Sequence, residues 1–407
     1  MTDEQAFQSA IAEHPNDPGP KLVFADFLEE RGECERSRNI RERIDLSKPV
    51  TLSEEQEKAV DEINKRMKRN PYVTLGGYAG TGKTSVIRHL VKHWRGVAVA
   101  ALCGKAVNVL RCKGVKNAQT IHSLIYEHIP NTDPPEFARR DQLATESGRR
   151  VRKLIIDEAS MVDEVMRDDL LSYNVPILFV GDHGQLEPIG RESWLMQNPD
   201  VVLNTIHRQA QDSPIIRLAT ALREGREVPY WESKLGDVRI VEKNRFWELL
   251  RPNMTAICAF NRTRHKINAE CRKMLGRTSQ YPVEGDKLVC LKNNREFQIF
   301  NGQLATCLDA KLSENGRDMT LKARLDDDRV VEMPCAPWQF GQDATEGMHR
   351  MPWLTFWDWG NALTCHRAQG SEMDDVIVLE ERSPLWNMRR WAYTASTRAR
   401  MTLIYCK

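Results

Sequence analysis

The sequence predicts an α/β protein with two doubly wound parallel-sheet units, a small antiparallel β-rich insert in the second, and a short helical N-terminal appendage. Three observations predict it. Short apolar runs at Val73-Leu75, Val97-Leu102, Lys153-Ile156 and Pro176-Val180 alternate with helical segments, the rhythm of a parallel sheet. The rhythm restarts near Val201, with a strand at Ala256-Phe260, and resumes at Asp375-Leu379 and Thr402-Tyr405. Between them, Lys287-Leu291, Leu304-Leu308, Met319-Arg324 and Arg329-Met333 are β-prone runs separated by Asn-Gly, Asp-rich and Pro turns, which reads as a small antiparallel barrel.

Bulk properties bound the rest. A chain of 407 residues is too long for one core and implies two to four domains. Its 41% hydrophobic and 29% charged content is that of an ordinary globular protein. A formal net charge of +2 means that any nucleic-acid binding needs a local basic groove. The 10 cysteines form no C-x-x-C pair, which argues against a disulfide framework or a structural metal and for a reducing compartment. Without a membrane-length apolar stretch or a signal-peptide core, the expectation is a cytoplasmic protein with no membrane partner.

Taken in order, Thr2 with Gln5 makes a capping-box pattern for a first helix ending at Pro15. A second helix runs from Pro20 to Gly32, and a charged helix, Glu35 to Leu46, leads to Pro49. Residues 1–48 carry no readable chemistry and suit a stabilising cap or a docking segment. Ser53 with Gln56 is another capping box, opening a helix that ends at Pro71. The stretch 127–150, rich in Pro, Arg and polar residues, interrupts the strand–helix rhythm and reads as an insertion.

The chemistry begins at Gly77 to Thr84, Gly-Tyr-Ala-Gly-Thr-Gly-Lys-Thr, which fits G-x-x-x-x-G-K-[ST] between a β-prone run and an apolar-periodic one. Such a loop wraps its N–H groups around phosphates, here through Gly77, Ala79, Gly80, Thr81, Gly82, Lys83, Thr84 and Ser85, at the positive end of a helix. Lys83 would reach the terminal phosphates and the Thr84 hydroxyl would hold Mg²⁺. Downstream, the apolar strand ending in Asp157-Glu158 supplies the other half of a nucleoside triphosphatase site: Asp157 for Mg²⁺, Glu158 to orient and deprotonate water. Gln185, in Gly181-Asp182-His183-Gly184-Gln185-Leu186 after another strand, is a candidate sensor of the γ-phosphate. The Gln56 amide offers one donor and one acceptor to an adenine edge, although the capping box also accounts for it.

The ordered motifs resemble those of a superfamily 1 helicase, most similar to the RecD/Dda-like 5′→3′ branch, from about residue 50 onward. Besides the stretches above, the resemblance rests on Leu52-Ser53-Glu54-Glu55-Gln56, Cys103-Gly104-Lys105-Ala106 and Thr120-Ile121-His122-Ser123-Leu124. It continues with His207-Arg208-Gln209, then Thr364-Cys365-His366-Arg367-Ala368-Gln369-Gly370-Ser371-Glu372 and Tyr393-Thr394-Ala395-Ser396-Thr397-Arg398. It implies two RecA-like motor domains, 49–200 and 201–281 with 351–407, and a Src-homology-3-like barrel at 282–350. Arg208 and Arg398 would reach the γ-phosphate from the second motor, and Glu372 would help close that interface. Lys105, Thr120, His122, Asn261, Thr364, His366 and Arg367 would contact DNA, and Phe137 would tip a strand-separating hairpin at 127–150. Cys103 stands where threonine is common and Arg367 where lysine is; both substitutions bear on DNA affinity.

By the same resemblance the Thr364 to Gly370 run would couple single-stranded DNA to the nucleotide site, and Trp353, Phe356, Trp357 and Trp359 cluster ahead of it, as a base-stacking platform or as core. The expected protein is a monomeric ATP- and Mg²⁺-dependent motor on single-stranded DNA and duplex/single-strand junctions. The alternatives are a translocase that displaces bound proteins with little unwinding, or an ATP-gated clamp. The expected polarity, 5′→3′, comes from the resemblance alone.

Overall fold

A computed structural model describes residues 51–102, 104–128, 137–143, 150–187, 195–206, 213–233, 236–294, 296–297, 299–314, 316–326, 329–343, 351, 353–384 and 386–407. For Lys105 and Phe137 the backbone alone is described. The N-terminal appendage, the 129–136 and 144–149 parts of the insertion, and Arg208 lie outside the described residues. The described residues belong to one compact unit, Thr51–Lys407.

Helix α1 (Glu54–Arg66) opens on the predicted capping box: Ser53 Oγ accepts from Gln56 N, and Ser53 N donates to Gln56 Oε1 at 3.0 Å. It ends before Pro71, which disfavours helical backbone at Asn70. Then follow β1 (Tyr72–Gly77), α2 (Lys83–His93), β2 (Val97–Ala101), α3 (Gly104–Cys112), β3 (Ala118–Thr120) and α4 (Ile121–Ile125). A short ribbon, β4 (Tyr126–His128) and β5 (Phe137–Arg139), precedes β6 (Lys153–Asp157), α5 (Glu164–Leu171), β7 (Ile177–Gly181) and β8 (Val201–Leu203). Six strands form a fully parallel sheet in the order β3-β2-β6-β7-β1-β8. Apolar clusters cover both of its faces, which is why its strands read as continuous hydrophobic runs.

The second half contains α6 (Pro214–Glu224), β9 (Trp231–Glu232), β10 (Val238–Val241), α7 (Phe246–Leu249), β11 (Thr255–Cys258) and α8 (Asn261–Met274). The strands β12 (Lys287–Cys290), β13 (Leu304–Leu312), β14 (Met319–Leu325), β15 (Val330–Cys335) and β16 (Trp357–Trp359) come next. Last are β17 (Ala362–Thr364), β18 (Met373–Leu379), α9 (Met388–Ser396) and β19 (Ala399–Cys406). A second sheet, β17-β11-β18-β19-β10-β9, is parallel except at its β9 edge. The insert is an antiparallel sheet, β15-β14-β13-β12-β16, whose inward Met319, Leu321, Ala323 and Leu325 alternate with exposed neighbours.

Two expected boundaries shift. Val201–Leu203 pairs with β1, so the first sheet runs past residue 200; the apolar Val-Val-Leu completes that sheet's edge. Trp357–Trp359 pairs with β12, so the insert's sheet closes after residue 350. The stacking-platform reading fails for three of its four aromatics: Phe356, Trp357 and Trp359 are buried in cores, and Trp353 alone is exposed. Among the described residues no helix is long and apolar enough to cross a membrane.

Candidate active site and nucleic-acid face

The carboxyl ends of the first sheet's strands assemble the candidate nucleotide site, where ligands of open α/β sheets sit. The loop between β1 and α2 turns through left-handed Gly80 (φ 82°) and Gly82 (φ 78°), conformations that side chains rarely tolerate. A Cβ on Gly77 would stand 2.6 Å from Thr81 Oγ1, so the loop can wrap only around a bare backbone. Lys83 Nζ donates to the carbonyls of Gly77 (2.6 Å) and Tyr78 (3.1 Å), which folds its ammonium over the loop. Thr84 and Ser85 lie in the first turn of α2.

Gln56 is buried, and its amide is occupied by the protein: Oε1 serves the capping box and Nε2 donates to Thr81 O at 3.1 Å. It thus braces the loop from beneath, with a second N–H hydrogen and a second oxygen lone pair on the same amide.

Asp157 ends β6, and Glu158 follows with left-handed backbone (φ 53°). Such strain in a non-glycine residue is of order 1–3 kcal/mol and persists where surrounding packing enforces it. Burial and the adjacent Asp157 carboxylate push Glu158 up, to about 7, against the pull of Arg398 and Lys83. Burial likewise raises Asp157, opposed by the Glu158 amide and Lys83. Gln185 is buried; its amide nitrogen lies 3.4 Å from Asp182 Oδ2, while its Oε1 has no protein partner.

The other wall comes from the second sheet's unit. Arg398 is 5% exposed, with Nε held by Thr394 O (3.0 Å), Nη1 by Ser371 O (3.2 Å) and Nη2 by Thr397 Oγ1 (3.0 Å). Lys83 and Arg398, from separate halves of the chain, thus act on one carboxyl group. Cross-cleft bonds align the walls: Leu186 N donates to Thr394 Oγ1 (2.9 Å), Gln369 Nε2 donates to Leu186 O (2.9 Å), and Arg390 pairs with Glu187. The Tyr393 hydroxyl accepts from Ala79 N (2.8 Å) and donates to Asp182 Oδ2 (2.7 Å). Sequence reasoning assigned no role to Tyr393, Asp182 or Thr394; its only signal was their membership in the ordered motifs. Glu372 is exposed before β18.

The candidate DNA residues divide. Asn261 and His122 are exposed, His366 and Arg367 are half-buried, and Arg367 Nη1 has no protein partner. Thr364 is buried. Thr120 is 6% exposed, and its hydroxyl caps α4 by accepting from Ser123 N at 3.2 Å. The ribbon pairs His128 with Phe137 at its distal end, and the intervening 129–136 lie outside the described residues. Phe300, on the insert's β12–β13 connection, packs onto Gly104 at the start of α3, where a Cβ would lie 1.9 Å from the Phe300 ring.

These groups fit a magnesium-bound nucleoside triphosphate. The loop excludes side chains where phosphates would lie, Thr84 and Asp157 are hard oxygen ligands, and Gln185 Oε1 is a buried acceptor awaiting a donor such as bound water.

Comparison with known proteins agrees. The AAA domain family matches residues 51–243, and the UvrD-like helicase C-terminal domain matches 360–405. The ATP-dependent RecD2 DNA helicase of Deinococcus radiodurans is 28% identical over 380 residues, covering 86% of this chain and 48% of its own length. The ATP-dependent DNA helicase dda of Enterobacteria phage T4 is 24% identical over 409 residues, covering 80% of this chain and 92% of its own. The chain thus spans about half the length of the RecD2 relative and most of the phage protein. Among solved structures, Pif1 helicases on forked double-stranded DNA align with TM-score 0.57 at 19% identity, over 88% of this chain and 92% of theirs. Bacteroides Pif1 bound to single-stranded DNA aligns with TM-score 0.54 at 19% identity, with the same coverage. The two parallel sheets therefore have the RecA-like arrangement, and the chain is similar to superfamily 1 helicases of the RecD/Dda/Pif1-like kind.

Proposed function

We propose that this chain is an ATP-dependent DNA helicase that moves 5′→3′ on single-stranded DNA and opens the duplex ahead of it. The observation that carries the proposal is that the second unit bonds directly to the phosphate loop and to the segment after β7, Tyr393 with Ala79 N (2.8 Å) and Thr394 with Leu186 N (2.9 Å), so that both halves of the chain line one cleft. Bound through Thr84 and Asp157, Mg²⁺ would neutralise phosphate charge. Glu158, raised to about 7, is poised near neutrality to take a proton from the attacking water at its carboxylate oxygen. Lys83 would leave its carbonyl partners for phosphate oxygens, and Arg398 would spread the developing charge, with Arg208 as a second finger. Gln185 would read the γ-phosphate.

Domain closure would then depend on what Arg398 faces, and alternating grip by the two motors would convert the cycle into steps. Duplex stacking costs about 1.4 kcal/mol per step, so binding alone cannot repeat the separation. Lys105, His122, Asn261, Thr364, His366 and Arg367 form the DNA face in this reading, and the β4–β5 ribbon with Phe137 is the strand separator. We read the insert, with Trp357–Trp359 added, as a Src-homology-3-like barrel; the Cys335–Thr355 bridge joins its β15 edge to the segment entering β16 and supports closure. The protein would act as a cytoplasmic monomer at duplex/single-strand junctions.

Matched 5′-tailed and 3′-tailed forks with ATP test the reading. The 5′-tailed fork should open and Lys83→Ala should abolish opening. Unwinding retained in that variant, or no unwinding of either fork, overturns it.

A further inference from the structure

The Tyr393 hydroxyl oxygen is where three chain segments meet: the phosphate loop at Ala79, the end of β7 at Asp182, and α9 of the other motor domain. The ring is 2% exposed and has little freedom. It stands edge-on to Tyr78 at 6.3 Å, and Arg223 of α6 stacks over Tyr78 at 3.3 Å. Gly184 packs closely here, since a Cβ there would lie 3.1 Å from Tyr393 Cε1 and 3.2 Å from Arg223 Cδ. The packing therefore delivers the hydroxyl to the loop.

A backbone N–H has one hydrogen. While Ala79 N–H donates to Tyr393, it cannot donate to a phosphate oxygen; of the three Lys83 ammonium hydrogens, two are directed to the Gly77 and Tyr78 carbonyls. We propose that the Tyr393 hydroxyl is a displaceable stand-in for a nucleotide phosphate oxygen, held on the loop by Asp182. Phosphate binding takes Ala79 N–H from Tyr393, and the hydroxyl keeps its bond to Asp182. Filling the first motor thus severs one specific link to the second, and severing it opposes nucleotide entry. Tyr393 is a positioning residue that couples nucleotide occupancy to the domain interface. The inference rests on the nucleotide site proposed above.

The test is titration of fluorescent mant-ADP with Mg²⁺, without DNA, into wild type, Lys83→Ala and Tyr393→Phe. The phenylalanine keeps the ring packing and removes only the competing hydroxyl. One net hydrogen bond predicts roughly two- to tenfold tighter binding in Tyr393→Phe. A purely structural role would leave affinity equal or weaker, and that result overturns the inference while wild-type binding, lost in Lys83→Ala, keeps the nucleotide site standing. No binding by wild type overturns both. Should Tyr393→Phe fail to fold, Asp182→Asn gives the hydroxyl a neutral partner in place of a charged one; affinity should rise by a smaller factor, and an unchanged affinity overturns the inference.

Discussion

Arg264 of α8 and Asp358 of β16 form an ion pair with both side chains wholly removed from solvent. The Asp358 carboxylate also accepts from Gly341 N at 2.8 Å, so the acid is tied on two sides. Removing one partner strands a buried charge. Asp358→Ala should cost about 3–5 kcal/mol in urea denaturation, and Arg264→Met with Asp358→Leu should recover most of that loss. A loss within experimental error would show that the pair carries no structural load.

That pair spans 94 positions in sequence, which explains why it was illegible there. What could be read was local: the phosphate loop, the acidic pair closing β6, the capping box at Ser53, and strands with two buried faces. What could not be read depended on burial. Thr120 sits in a motif read for DNA contact, and only the structure shows that its hydroxyl also caps α4. Three aromatics before β17 matched a stacking pattern, yet the cores claimed them. Tyr393 sat in a recognised motif, but only three-dimensional contact shows its hydroxyl on Ala79.

Arg398 tests the two-walled site. Its guanidinium is anchored by three oxygens of its own domain, so Arg398→Ala should leave the first motor's loop intact. Phosphate release stimulated by single-stranded DNA should fall on the order of 10³-fold or more, with mant-ADP affinity changed little. Equal losses in affinity and turnover would assign the residue to binding.

Gly104 touches Phe300 where the insert meets the first motor. Gly104→Ala places a methyl inside the Phe300 ring, and relieving that overlap should cost about 1–3 kcal/mol. The same substitution made with Phe300→Ala should cost far less. A double-mutant cycle in denaturant measures the difference, and a coupling energy near zero would contradict the contact.

His366 offers a pH test. Burial holds its imidazole below the ordinary 6.5, so the unfolded chain binds the proton first as pH falls. Its contribution to stability is complete well above 6.5 and is lost as pH drops through that value towards the lower folded one. Glu158, raised rather than lowered, works in the opposite sense, so the readout is a difference between proteins. The stability gap between wild type and His366→Gln should shift against wild type from pH 8 to pH 5.5, and a gap constant with pH would contradict a buried neutral ring.

The insert is fastened to one motor and merely leans on the other. Arg264 with Asp358 and Arg272 with Asp286 tie it to α8, Arg277 just beyond that helix pairs with Asp286 as well, and on the other side Phe300 packs on Gly104 of the first motor. A rotation of the second motor would carry the insert with it and would press on the packing of Phe300 against Gly104.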